Sequence, residues 1–404
     1  MIPDPSQPVH LTYCSNIHPG ETWPEVRDNV EQFFPAVRER VAPGARFGVG
    51  LRLSAAAAAA LADDEVFDEF AALLEQHDLY VFTLNGFPYG RFHGASVKEA
   101  VYRPDWLETE RLDYTDRLAD LAARFAALGQ EDGVSVSTVP GAFKPRADTP
   151  AAAGMIAEAL IRHAAHLVDI RRTSGHAITL ALEPEPCCFL ETIDETIRFF
   201  EAHLFSRAGV ERLAGLTGLN ATESEEVLRR HIGVCLDTCH AAVEFEDAGH
   251  SLARLDAAGV SIAKIQLSAG LRIAEVDEEM VAALTPFDDG VYLHQVIERR
   301  GQDVRRFTDL PGAIDAFRRA PSDTPASEWR IHFHVPIFHE HLGAFDSTRP
   351  FLEDVLALQK AQSRSPHLEV ETYTWDALPA SLRTGNVTNA IARELTWVLE
   401  HLAR

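Results

Sequence analysis

Strand-like apolar runs alternate with amphipathic helical stretches almost from end to end of the 404 residues. The runs are Val9–Cys14, Phe47–Leu53, Tyr80–Asn85, Val134–Val139, Ile178–Glu183, Ile232–Asp237, Ile262–Leu267, Ile331–Pro336 and Leu368–Tyr373. Their apolar residues are nearly continuous, as strands buried on both faces of a parallel sheet require. Helical stretches such as Trp23–Arg40, Ala55–His77, Asp105–Leu128 and Pro150–Thr173 fall between them. Repeated βα units of this number predict an α/β fold, a (β/α)8 TIM barrel. Nine runs are one too many for eight strands. The surplus falls between Leu267 and Leu368, where Val291–Glu298 and Val304–Thr308 flank Gly301 as a hairpin does. The chain therefore reads as one domain, residues 1–404, with 269–330 inserted over the C-terminal face between the last two barrel strands. Ile331–Pro336 fits either a barrel strand or a strand of that insertion.

Charge narrows the partners. With 37 basic against 61 acidic residues the formal net charge is −24. That disfavours nucleic acid and anionic membranes, whose phosphates need a broad basic surface. A small phosphorylated ligand stays open, since one local cation pair can bind it. No apolar run reaches the length of a membrane span. The polar start, Met1–Pro8, lacks the features of a secretion signal. The five cysteines have no zinc-ribbon spacing, so a reduced, cytoplasmic chain is expected.

A TIM barrel places its chemistry at the C-terminal strand ends, and there the runs become polar. Asn16 and His18 follow the first run, Arg52 lies in the second, and Asn85 ends the third with Arg91 and His93 beyond it. Lys144 lies after the fourth. Glu183 and Glu185 end the fifth, Asp237 and His240 the sixth, Gln266 the seventh, and Glu371 the last, while His332 and His334 sit in the surplus run. Strand parity turns Glu183, Asp237, Gln266 and Glu371 opposite to apolar neighbours, toward the barrel axis. Such oxygen ligands suit Mg²⁺ or Mn²⁺, and an added imidazole brings in Zn²⁺, Co²⁺ or Fe²⁺. Singly, each residue has a plainer reading. Asp237 is a good helix N-cap, and His332 and His334 could be core histidines bonded to backbone. Their joint placement at one end of successive strands favours a shared site.

At these residues the chain resembles the xylose isomerase-like TIM-barrel superfamily of sugar isomerases, ketose 3-epimerases, dehydratases and endonuclease IV-like enzymes. Leu180-Ala181-Leu182-Glu183 and Cys235-Leu236-Asp237-Thr238-Cys239-His240 look like its fifth- and sixth-strand motifs. A narrower resemblance is to the EboE family of metabolite-traffic proteins, through Thr83–Gly90, Ser137–Gly141 and His332–Pro336. The resemblance implies a divalent metal (Mn, Mg, Zn or Co) on Glu183, Asp237, Gln266 and Glu371. Gln266 stands where the family has histidine, which makes His334 a candidate to complete the sphere.

The implied activity is isomerisation or epimerisation of a sugar, sugar phosphate or cyclitol through a metal-stabilised enediolate. Glu183 and Glu371 would act as bases and His240 on a substrate oxygen. Asn16, His18, Asn85, His93 and Glu185 would line the substrate, and Arg52, Arg91 and Lys144 would take a distal anion. A dehydratase on a similar polyol and a non-catalytic metabolite carrier are the alternatives. Endonuclease chemistry conflicts with the negative charge.

Overall fold

The computed structural model describes residues 1–3, 9–93, 98–129, 133–288, 290–321, 324–379, 383 and 385–403. Residues 4–8 of the polar start, Gly94 in the loop after the third run, and Arg404 lie outside the described residues. Seven strands come first: β1 (His10–Tyr13), β2 (Phe47–Arg52), β3 (Leu79–Asn85), β4 (Gly133–Thr138), β5 (Ala177–Leu182), β6 (Ile232–Asp237) and β7 (Ile262–Leu267). Six follow in a second sheet that continues past residue 330: β8 (Leu271–Ile273), β9 (Val296–Arg300), β10 (Asp303–Phe307), β11 (Glu328–Ile331), β12 (His341–Leu342) and β13 (Phe345–Ser347). Then comes β14 (His367–Val370). The first seven and β14 pair in the order β1-β14-β7-β6-β5-β4-β3-β2, parallel throughout. A parallel bridge between Cys14 and Gly50 joins the two ends. The eight strands, ringed by helices, form an α/β TIM barrel.

The surplus run resolves into the insertion. β11 pairs antiparallel with β8 and β9, not with any barrel strand. The segment after it, from His332, leaves the sheet and descends toward the barrel mouth. The expected hairpin is β9–β10, turning at Gly301 with φ +63°, a backbone region that favours glycine. Arg306 of β10 reaches down to Glu244 and lies 3.4 Å from Glu191, tying the hairpin to the barrel loops. The long helical stretch 55–77 breaks into Ala55–Leu61 and Asp64–Gln76 because Asp63 caps the second helix, accepting from the Glu65 and Val66 amides.

The apolar core lies between strands and helices, and the barrel axis is polar. Lys264 and Glu369 form an ion pair at 2.5 Å with both side chains at 0% exposure. Burial alone would lower the Lys264 pKa, but the Glu369 carboxylate outweighs it and keeps the ammonium charged. His367 Nδ1 meets Ser135 Oγ at 2.9 Å, and Lys264 donates to Ser137 at 3.4 Å, both across the barrel. Gly50 makes room for this column. A Cβ there would fall on Glu369 Oε1 and lie 2.6 Å from the Tyr13 carbonyl.

Candidate metal centre

Asp237 ends β6 and caps the short helix Thr238–Val243. Its Oδ1 accepts from the Cys239 amide at 2.7 Å, the His240 amide at 2.9 Å and Ser268 Oγ at 2.7 Å. Oδ2 is buried without a hydrogen-bond partner. The cap reading and the ligand reading thus apply to different oxygens of one carboxylate. The first turn of that helix also carries His240 into the site.

Three imidazoles are oriented alike. His240 Nδ1 is 3.0 Å from the Pro184 carbonyl, and His334 Nδ1 is 2.9 Å from the Glu371 carbonyl. A carbonyl only accepts, so both nitrogens carry the proton and Nε2 keeps a lone pair. His332 Nδ1 lies 2.9 Å from Gln295 Oε1. The Gln295 amide nitrogen is fixed by Tyr102 Oη at 2.7 Å and the Pro186 carbonyl at 3.3 Å, so its oxygen faces His332. His332 is therefore also protonated at Nδ1. Burial lowers the pKa of all three rings, that of His240 to about 4. Yet His240 and His332 approach Nε2 to Nε2 at 3.1 Å. Two lone pairs at that distance repel unless a cation lies between them. Nitrogens bound side by side to one ion at roughly 2.1 Å stand about 3 Å apart. His334 Nε2, too, is buried without a partner.

The acids complete the cluster. Glu183, Asp237 and Glu371 each offer an oxygen within 4.8 Å of the others. So do the donor atoms of Asp237, His240 and His334, and those of Glu185, His240 and His332. Burial pushes Glu183 and Glu371 well above the usual carboxylate range, with repulsion from Glu371 and Asp237 added at Glu183 and from Asp237 and Glu369 at Glu371. Burial acts the same way on Asp237, but His240, His334 and the Ser268 hydrogen bond outweigh it and hold its pKa down. Glu185 is pushed up to about 8 by burial, against a 2.6 Å hydrogen bond from Tyr102. Unpartnered oxygens on Glu183, Glu185 and Asp237 and convergent nitrogen lone pairs are a donor set that fits a divalent cation.

Several sequence expectations change. Gln266 does not present its oxygen to the cluster. That atom accepts from Cys235 at 2.7 Å while the amide nitrogen donates to Glu371 Oε2 at 2.7 Å, so Gln266 orients Glu371 from behind. Asn16 and Asn85 also donate to Glu371, at 2.6 and 3.3 Å. Arg52 is no anion receptor. Its guanidinium is spent on the Gly20, Pro88 and Gly90 carbonyls and on Glu21 at 2.7 Å, pinning two loops together. Lys144 turns away to Glu191 and Glu195. His18 stacks on Phe33 and meets Tyr13 Oη at 3.2 Å, away from the cluster. Arg91 and His93 line a separate outer cleft with Glu21, Tyr292 and Asp376. The sequence does not point to Tyr102 or Gln295, and it leaves His332 open between a core histidine and a member of the shared site. A Tyr in a βα loop or a Gln in the insertion carries no motif. The alternation in His332-Phe333-His334 was the available signal.

Above the cluster opens a pocket. Asn16, Glu183, Glu185, His240, His332 and Glu371 form its floor, and Phe87, Phe92, Tyr102, Tyr292 and Tyr373 are prominent in its walls.

No family model and no curated protein matches this chain. Similar solved structures include the probable 3-DHS dehydratase AsbF, involved in petrobactin synthesis, from Bacillus anthracis. It is 9% identical over 96% of this chain and 97% of that one, with a TM-score of 0.43. The IolI protein with a zinc atom is 12% identical over 97% and 98%, TM-score 0.44. A xylose isomerase domain protein from Planctomyces limnophilus is 13% identical over 88% and 87%, TM-score 0.44. The barrel assignment rests on the strand order itself.

Proposed function

We propose that this chain is a metal-dependent enzyme that moves a proton next to a carbonyl in a small hydroxy-carbonyl metabolite, as isomerases and epimerases of the xylose isomerase-like superfamily do. The observation that carries the reading is the meeting of His240 and His332 through two unprotonated nitrogens, beside unpartnered oxygens of Glu183 and Asp237. Glu183, Asp237, Glu371 and His334, with His240 and His332 beside them, would hold a divalent ion such as Mn²⁺, Zn²⁺, Co²⁺ or Mg²⁺, and Glu185 adjoins this donor set. The ion would supply Lewis-acid polarisation of a carbonyl.

The chain's own groups do the rest. Glu183 and Glu371 stand on different strands and can take and return a proton at carbon. Asn16, Asn85 and Gln266 hold the Glu371 carboxylate in place. Tyr102 and Gln295 hold Glu185 at the pocket floor, and aromatic rings wall the space above it. The net charge of −24 supports a small metabolite over nucleic acid as partner. Among the described residues no helix is long and apolar enough to cross a membrane.

One observation favours a second reading. Glu185 stands at the pocket floor, its Oε1 held by Tyr102 at 2.6 Å and its Oε2 buried without a partner, and is placed to exchange a proton with a leaving hydroxyl. That is the step that turns proton removal into dehydration. A carrier role, as the EboE resemblance suggests, would need only the binding half of the site.

Metal analysis of the purified protein tests the shared premise. About one or more divalent ions per chain, removed by chelator and lost in Asp237→Ala, are expected. Absence of a bound ion after reconstitution would contradict it. Solvent-deuterium incorporation into ketoses and cyclitols then marks the isomerase, loss of water the dehydratase, and binding without turnover the carrier.

A further inference from the structure

We propose that the metabolite taken by this pocket carries a flat aromatic or unsaturated ring beside its chelating oxygens and no phosphate. This inference rests on the metal-site reading above. The pocket has two chemistries in one space: a floor of carboxylates and imidazoles, and walls of aromatic rings.

The walls come from distant parts of the chain. Phe92 follows β3, Tyr292 precedes β9, and Tyr373 follows β14. Their ring centroids stand 5.1 Å apart for Phe92–Tyr292 and 5.2 Å for each of the other two pairs. This mutual packing fixes the rings before any ligand arrives. Phe87 and Tyr102 are stacked with centroids at 5.7 Å and line the same pocket. Pre-ordered aromatic faces favour a flat ring, which meets them by offset stacking or edge-on. A chain hydroxylated at every carbon would turn several hydroxyls toward ring faces, which are poor acceptors, with only the tyrosine hydroxyls to pair them, which is costly.

The cations tell the same story. Among the described residues Lys98 is the one lysine or arginine lining this pocket, and its ammonium is paired with Asp309 at 2.7 Å. Arg52 is committed to the loop carbonyls and Glu21, and Lys144 to Glu191 and Glu195. A phosphate brought here would be desolvated against aromatic walls with no dedicated counter-charge.

Three probes share one chelating head, CO–CH₂OH, and differ beyond it: hydroxyacetone, 2-hydroxyacetophenone and dihydroxyacetone phosphate. Calorimetric titration of the Mn²⁺-loaded full chain should find 2-hydroxyacetophenone at least about tenfold tighter than hydroxyacetone. Dihydroxyacetone phosphate should bind no tighter than hydroxyacetone. Phe92→Leu and Tyr292→Leu should each weaken the aryl probe severalfold and leave hydroxyacetone unchanged. The proposal is overturned if the phosphate binds tightest, if the three bind alike, or if the aryl probe does not saturate. The wild-type ranking decides the matter even if a variant fails to fold. Repetition in chelator separates the two claims. Affinities that do not change there count against the metal reading, whereas the ratio between aryl and plain probes reports on the ring seat alone.

Discussion

His240 and His332 face each other through Nε2 atoms 3.1 Å apart, and each gives its Nδ1 proton to a fixed acceptor, the Pro184 carbonyl and Gln295 Oε1. Gln295 therefore decides which nitrogen of His332 meets the site. Groups that orient a metal-bound histidine in this way typically contribute 10–100-fold to metal affinity. Gln295→Leu should lower affinity for Zn²⁺ by about that factor in a chelator competition. Unchanged affinity would mean that His332 is not a ligand.

The acids give a prediction whose sign depends on the ion. Glu183, Asp237 and Glu371 crowd together in the buried floor, and without a cation their charges repel. Glu183→Gln removes one charge at a carboxylate whose Oε2 is buried without a hydrogen-bond partner. In chelator the variant should melt above wild type. With excess Mn²⁺ the order should reverse, because only the wild type gains ligand stabilisation, about 2.7 kcal/mol at a concentration 100 times Kd. Thermal melts in both buffers check this. The same order in both would count against a metal on Glu183.

Glu394 links the last helix to the site. It accepts from the Ile337 amide at 3.1 Å and from Thr372 Oγ1 at 2.7 Å, and burial raises its pKa from 4.5 to about 7. The folded carboxyl thus holds its proton more tightly than the unfolded one. Its stabilising contribution is complete below pH 4.5 and is lost as pH climbs through about 7. The loss amounts to at most about 3 kcal/mol. Glu394→Gln keeps an acceptor and cannot titrate, so its Tm should fall less than that of wild type between pH 5 and 8. Parallel curves would contradict the assignment.

The barrel axis predicts a severe effect far from any ligand. An alanine Cβ at position 50 would overlap Glu369 Oε1 and crowd the Tyr13 carbonyl. Shifting Glu369 would strain its buried pair with Lys264, and breaking such a pair costs about 3–5 kcal/mol. Gly50→Ala should therefore lose at least about 3 kcal/mol in denaturant melts, or fail to accumulate. A loss under about 1 kcal/mol would show that the column has slack.

What the sequence revealed depended on whether a signal was local. The barrel was legible because each strand is an apolar run of its own, and strand-end position with parity brought Glu183, Asp237 and Glu371 into the candidate set. The surplus run Ile331–Pro336 was ambiguous because Ile331, Phe333 and Val335 alternate with His332 and His334 as in a strand of either sheet. Only pairing with β8 and β9 assigns β11 to the insertion. The tasks of Gln266 and Arg52 were hidden for another reason. An amide's orientation depends on Cys235 and Glu371, and a guanidinium's freedom depends on loop carbonyls that come near it only after folding. The polar axis was concealed because Lys264 and Glu369 are 105 residues apart in the chain and each looks like an ordinary surface charge.

Cobalt reconstitution followed by X-ray absorption tests the central claim most directly. The account predicts a stoichiometric Co²⁺ site with mixed oxygen and nitrogen ligands and the outer scattering of imidazole, which weakens in His332→Ala and in His334→Ala. An all-oxygen sphere unaffected by either substitution, or no stoichiometric uptake of Co²⁺, would contradict it.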